Sequence, residues 1–472
     1  MSWSMYKAMN SDWELCSTRN HRQRTYTLWV LLGAMSKFAS FRTTSTGSYL
    51  ALFFASGLTT VLFIATMVYH YSTKSTYYEI LSADYSSMMY LILAWVCLGW
   101  LMALIAGIGF DVLPLIHGAA PFHESTMRQF IILNISGQFL LTLSTFMSTR
   151  EMIDEFSTVG IVLLSLGVLL LGLPGRRLVS ESKMSKDKDE VGVMSVLPGA
   201  VFPFFATTII VCWLLRDTAG MLELGRSFMV ALYILVTVVI IVSHFNRRLN
   251  WGIIAPEKIQ TRLTVFAVFL CLHILFSFLT GREGSDTHTL LAQMSDYSLG
   301  LALLWAFILC NPLDVAKKAL FNGGMGHNRL VFAALWMLPF CSFHAFNSSH
   351  YIDRPGTPGY ATFLSTSALL AIWGYSMYLH EDHLHINIHK RSSSPLFLMF
   401  FLIGFVSIQM LYIKNWLDLG PTNTEQTIWI ASIVIGSILL TVDFLRRTML
   451  SFDTWHRIPM FYGRYIQDKS LE

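Results

Sequence analysis

Fifteen histidines are spread through the 472 residues, and their spacing raises three chemical possibilities. The densest group is "HEDHLHINIHK" (380–390). His380 and His383 are three apart, so a continuing helix puts them on one face beside Glu381 and Asp382, whereas an extended chain pairs His383 with His385. Neutral imidazoles near carboxylates suit zinc or copper, which makes His380, His383 and His385 the candidate metal ligands; the alternative is a solvated polar loop. The second group lies in "GFDVLPLIHGAAPFHESTMRQF" (109–130), where Asp111, His117, His123 and Glu124 crowd around Pro114, Gly118 and Pro121. Those prolines and that glycine end one helix and turn the chain into the next, so a wetted junction is expected there.

The third group is two histidines set singly in apolar runs, His273 in "FLCLHILFSF" and His344 in "PFCSFHAFN". An imidazole in such a run either hydrogen-bonds a neighbouring helix or ligates a heme or metal, so His273 and His344 are the candidate cofactor-binding residues. Asp111, Asp296 and Asp443 stand near the ends of apolar runs, as do His70 and His244. The buried midplane carboxylate that a proton-coupled carrier commonly uses is not evident. The six cysteines form no C-x-x-C pair, which removes a zinc ribbon and a disulfide framework. There is no Walker loop, G-x-G-x-x-G, H-E-x-x-H or nucleophile elbow, and "GGMG" (323–326) lacks the Lys-Ser/Thr that a phosphate cradle needs. Nothing points to nucleic acid as a partner.

The elements that must position these residues follow from composition. The chain is 54% hydrophobic and only 13% charged, against about 25% charged in soluble domains, so the expected partner is the lipid bilayer. A spanning helix needs about 20 apolar residues to cross about 30 Å of hydrocarbon. Twelve runs meet that need: 48–71, 88–110, 128–147, 157–174, 196–215, 227–244, 262–280, 292–311, 329–347, 360–379, 395–416 and 425–445. The short alternating segments of a barrel are missing, so the expected fold is all-α, a bundle of about twelve transmembrane helices. Most of the 33 Lys and Arg fall in the segments on the N-terminal side of the membrane, which predicts both termini in the cytoplasm and a multi-pass protein of the cell (inner) membrane. The expected divisions are residues 1–47 as a cytoplasmic or interfacial segment with "TLWVLLGAM" (27–35) behind Arg19, Arg22 and Arg24, 48–445 as the membrane domain, and 446–472 as a cytoplasmic tail. The longest internal polar stretch, "GRRLVSESKMSKDKDEVG" (175–192), reads as a charged cytoplasmic loop.

Taken in order, several segments resemble the catalytic subunit of heme–copper oxidases, a superfamily of twelve-helix proteins with both termini inside that includes nitric-oxide-related relatives. "GIGFDVLPLIHGAAPF" (107–122) is similar to the family's junction between helices 2 and 3, and "ALYILVTVVIIVSHF" (231–245) to its helix 6. "SDTHTLLAQ" (285–293), "GLALLW" (300–305) and "AIWGYSMYLHEDHLHINIHKRSSSPLFLMFFLIGF" (371–405) resemble later family segments. The resemblance implies a heme–copper-oxidase-like bundle, yet its metal ligands are missing. Leu91, flanked by Met88 and Met89, stands near the place of the low-spin heme histidine, and Met229, followed by Val230 and Ala231, near the helix 6 copper ligand. Gly359 and Ala361 fall near the paired histidines of helix 10, and helix 7 offers only His273. Oxygen or nitric oxide reduction by the family's mechanism is therefore not expected.

The resulting expectation is a degenerate oxidase-like scaffold. It would be accessory to respiratory or nitric-oxide-related electron transfer, with other respiratory-complex subunits as partners, or would handle heme or copper through His273, His344 or the loop histidines. The alternative is a twelve-helix secondary transporter of a small solute, for which "SADYSSMMYLILAW" (82–95) and "QMSDYSLGLALLW" (293–305) echo an internal repeat. A structural subunit without chemistry is the third possibility.

Overall fold

Long apolar runs form helices because a backbone buried away from water must satisfy its own hydrogen bonds. In a computed structural model the described residues are, apart from isolated positions, 85–103, 124–172, 201–245, 256–282, 285–321, 328–348, 357–375 and 394–417, with scattered residues of 419–442. The chain divides into Met1–Gly47 and Ser48–Glu472, and every described residue belongs to the second unit.

Among the described residues the structure is all-α. The helices are α1 (Tyr85–Ala94), α2 (Glu124–Ser144), α3 (Arg150–Leu170), α4 (Phe202–Leu214), α5 (Met221–Ser243), α6 (Pro256–Thr280), α7 (Ser285–Leu309), α8 (Pro312–Phe321), α9 (Asn328–Phe346), α10 (Thr357–Phe363) and α11 (Ser394–Trp416). Two wider π-helical segments extend α1 and α10, at Trp95–Leu101 and Leu364–Ala368. Local chemistry sets several boundaries. Thr149 caps α3 by accepting from the Met152 amide at 3.4 Å, and Pro312 opens α8, where its missing N–H costs nothing. Gly220, at φ +84°, turns the chain into α5.

Among the described residues, five helical stretches are long and apolar enough to cross a membrane: Arg150–Leu170, Met221–Ser243, Thr261–Thr280, Leu290–Leu309 and Arg329–Phe346. Ser87–Leu101, Phe202–Leu214 and Met399–Lys414 are shorter apolar helices. The expected run at 128–147 is present as α2, which carries Asn134, Gln138 and Thr142 buried on its packed side. The runs at 48–71 and 425–445 lie largely outside the described residues.

The hub is α5. Its apolar window is 83% buried, against 28% for that of α6, so α5 is surrounded by protein while α6 keeps an open face. α1, α4 and α6 pack on α5, as do both π segments; α2 pairs with α3, and α7 with both α6 and α9. Outward faces stay apolar: Phe139, Val268, Leu275, Phe340, Leu402 and Val406 are exposed. A helix surface as greasy outside as inside is what a lipid environment requires. Helices approach closely where glycine permits, and a Cβ on Gly137 of α2 would lie 2.9 Å from the Gly160 carbonyl of α3.

The first π segment is held from both sides. π geometry moves the backbone partner of a carbonyl from i+4 to i+5, and here side chains add to those bonds: the Asn134 amide donates to the carbonyls of Leu98 at 3.1 Å and Gly99 at 3.2 Å, while the Tyr233 hydroxyl donates to that of Cys97. The second π segment is tied to α9 by the Ser367 hydroxyl, which donates to the Ala334 carbonyl at 2.8 Å.

Candidate functional site

Charged and titratable side chains gather where α5 and α10 begin, toward the end of α6 and partway along α7. Gly220 makes this convergence possible, since a Cβ there would meet the Phe278 carbonyl at 2.6 Å. Gly281 lies against it on the other side, where a Cβ would come within 2.5 Å of the Gly220 Cα. Because α5 starts at Met221, Glu223 and Arg226 are drawn into the bundle one turn apart. Arg226 is 4% exposed, its Nη2 lies 3.4 Å from Glu223 Oε1, and its Nε has no hydrogen-bond partner among the described residues. Asp296 of α7 is buried nearby, 3% exposed.

His273 stands at the centre, seven residues before the end of α6 and so about 10 Å in from it. It is fully buried. Its Nδ1 lies 3.0 Å from both the carbonyl and the hydroxyl oxygen of Ser295 on α7. Its Nε2 lies 2.8 Å from the hydroxyl of Tyr360 on α10. Tyr360 in turn lies near Ser277 of α6 and sits in the field of Arg226, Asp296 and Glu223. Ser277 also donates to the Glu223 carbonyl at 3.3 Å. Four helices thus share one polar network.

The donor and acceptor inventory gives this imidazole two complete arrangements. With the proton on Nδ1, that N–H donates to the Ser295 carbonyl and the Tyr360 hydroxyl donates to Nε2. With the proton on Nε2, that N–H donates to the Tyr360 oxygen and the Ser295 hydroxyl donates to Nδ1. Neither leaves a ring nitrogen unsatisfied, so the ring can accept a proton on one side and release one on the other with little movement of heavy atoms. A tyrosine and two serines supply rotatable hydroxyls at both ends of that exchange.

His344, the other histidine in an apolar run, is 1% exposed and has separate partners. Its Nε2 lies 2.8 Å from Gln409 Oε1 on α11, and its ring lies 4.3 Å from that of Tyr412. The structure therefore ties each of the two candidate cofactor residues to a neighbouring helix. His380, His383 and His385 lie outside the described residues, as do Asp111, His117 and His123. Among the described residues no group of three His, Cys, Asp or Glu is placed to hold a metal.

Leu91 and Met229 are packed in the core, and a Cβ at Gly359 would meet Ala345 Cβ at 3.0 Å. A ring nitrogen of His273 would have to leave Ser295 or Tyr360 to ligate.

Sequence reasoning found His273 and Asp296 but not their company. Glu223 and Arg226 fall just outside the apolar run at 227–244, and Tyr360 is only the first residue of the run at 360–379. The available signal was the three-residue spacing of Glu223 and Arg226, which one turn of helix turns into a pair.

Fold and site together define a helical membrane protein with a charged, hydrogen-bonded centre inside its bundle. The chain matches no family model, no curated protein and no solved structure.

Proposed function

We propose that the protein is a proton-coupled secondary carrier, with the His273 network as its proton-handling centre. Twelve spans, both termini in the cytoplasm and a place in the cell membrane belong to this proposal and rest on the apolar runs and the distribution of Lys and Arg. With that topology the centre lies toward the outer face. The observation that carries the proposal is the imidazole bonded at both nitrogens, to Ser295 on one side and Tyr360 on the other. Ionisable groups inside a bundle are costly and are retained where they serve an ion or proton path. Arg226, Glu223 and Asp296 around the ring give a passing proton both a counter-charge and a gate.

The test is proton entry into proteoliposomes under an imposed membrane potential, with an internal pH dye, in the presence of a panel of amino acids, small carboxylates and monovalent cations. Entry above that of protein-free liposomes, evoked by at least one solute and absent in His273→Gln, is the expected result. Entry equal to protein-free liposomes across the whole panel would overturn the proposal.

The accessory role in respiratory or nitric-oxide-related electron transfer is the weaker reading, because His273 and His344 would have to exchange their hydrogen bonds for a metal. A stoichiometric heme absorption band lost in His273→Ala would favour it instead.

A further inference from the structure

Between two of the membrane-crossing stretches, Leu290–Leu309 and Arg329–Phe346, the chain inserts the ten-residue helix α8. Asn311 sets its direction. At φ 48° it is the one non-glycine among the described residues with a left-handed backbone, and it breaks the path of α7 before α8 begins. Its carbonyl accepts from the Asp314 and Val315 amides at 3.1 and 3.2 Å, and its side-chain amide donates to Asp314 Oδ2 at 2.6 Å. The turn is thus built into both backbone and side chain.

The helix has two unlike faces. Val315 is fully buried, and it points toward the bundle. On the opposite face, at the i, i+4, i+7 spacing of one helical stripe, stand Leu313, Lys317 and Leu320. Leu313 is 75% exposed and Leu320 is 83% exposed, well beyond the apolar residues that face outward on the spans. Lys318 adjoins Lys317, and Asp314, the one acid of the helix, is already bonded to Asn311.

A short helix joining the ends of two spans sits at the level where hydrocarbon gives way to headgroups. Leucines exposed on both sides of a lysine match that boundary, the apolar chains entering it and the ammonium rising to the charged layer. We propose that α8 is an interfacial anchor that lays Leu313 and Leu320 into the bilayer surface and binds anionic phospholipid headgroups through Lys317. The inference rests on the two flanking stretches being spans, and it is independent of the proton chemistry at His273.

The probe is an environment-sensitive fluorophore on Leu320→Cys, in a background freed of reactive native cysteines, with the full chain in nanodiscs of phosphatidylcholine alone or with phosphatidylglycerol. The expected emission is blue-shifted and quenched by lipids spin-labelled at shallow depth. Lys317→Gln should weaken the preference for phosphatidylglycerol about fivefold. Emission as in water would overturn the proposal. Blue-shifted emission that spin-labelled lipid does not quench would also overturn it, because the helix would then be covered by protein. A preference unchanged by Lys317→Gln would overturn the headgroup assignment.

Discussion

The Tyr360 hydroxyl lies 2.8 Å from Nε2 of His273, joining α10 to α6 through two fully packed side chains. Tyr360→Phe keeps the ring and its packing and removes only the oxygen. The substitution should leave a folded protein destabilised by about 1–3 kcal/mol, since a buried ring nitrogen loses its partner. Solute-evoked proton entry should fall to the level of protein-free liposomes. Retained entry would remove Tyr360 from the path.

Arg226 and Glu223 form a buried pair, with side chains 5% and 16% exposed. Removing one partner strands the other, so Arg226→Gln and Glu223→Gln should each cost about 3–5 kcal/mol. The double variant should cost less than the sum of the two singles. Thermal unfolding in detergent measures all three, and strict additivity would show that the two groups do not interact.

Asn134 donates to two carbonyls of the π segment Trp95–Leu101. Asn134→Leu keeps the bulk but deletes both of these donors and the oxygen that accepts from Gln138 at 2.7 Å, at a cost of about 1–3 kcal/mol. Faster hydrogen exchange should appear in Trp95–Leu101 before the rest of α1. Unchanged exchange there would mean that Tyr233 suffices to hold the segment.

Gly220 and Gly281 let the ends of α5 and α6 meet, and at Gly220 a side chain would face both φ +84° and the Phe278 carbonyl. Gly220→Val should prevent that approach, lower the melting temperature and separate Glu223 from the His273 centre. Gly167→Ala, where the nearest atom is 3.5 Å from the new Cβ, is the control and should melt like the parent.

The helical character of the protein was legible from composition and run length, because a backbone in lipid has few other solutions. The five stretches that can cross a membrane each overlap a run marked in the sequence, although α3 and α5 begin six or seven residues earlier than apolarity alone indicates. That difference decided the site. An apolar run ends where the first charge appears, but a helix continues through Glu223 and Arg226 when neighbouring helices supply partners, and only packing reveals those partners. His273 was conspicuous as a lone imidazole in an apolar run, and two of its uses, ligand or hydrogen-bonding group, were open from the sequence. Ser295 and Tyr360 come from α7 and α10, 22 and 87 residues from His273, and no local pattern ties such positions together. The sequence by itself determined the class of protein, through the free energy of each segment in lipid. Only the tertiary structure decided which polar groups face one another, because hydrogen bonds between helices depend on distances that the order of residues does not contain.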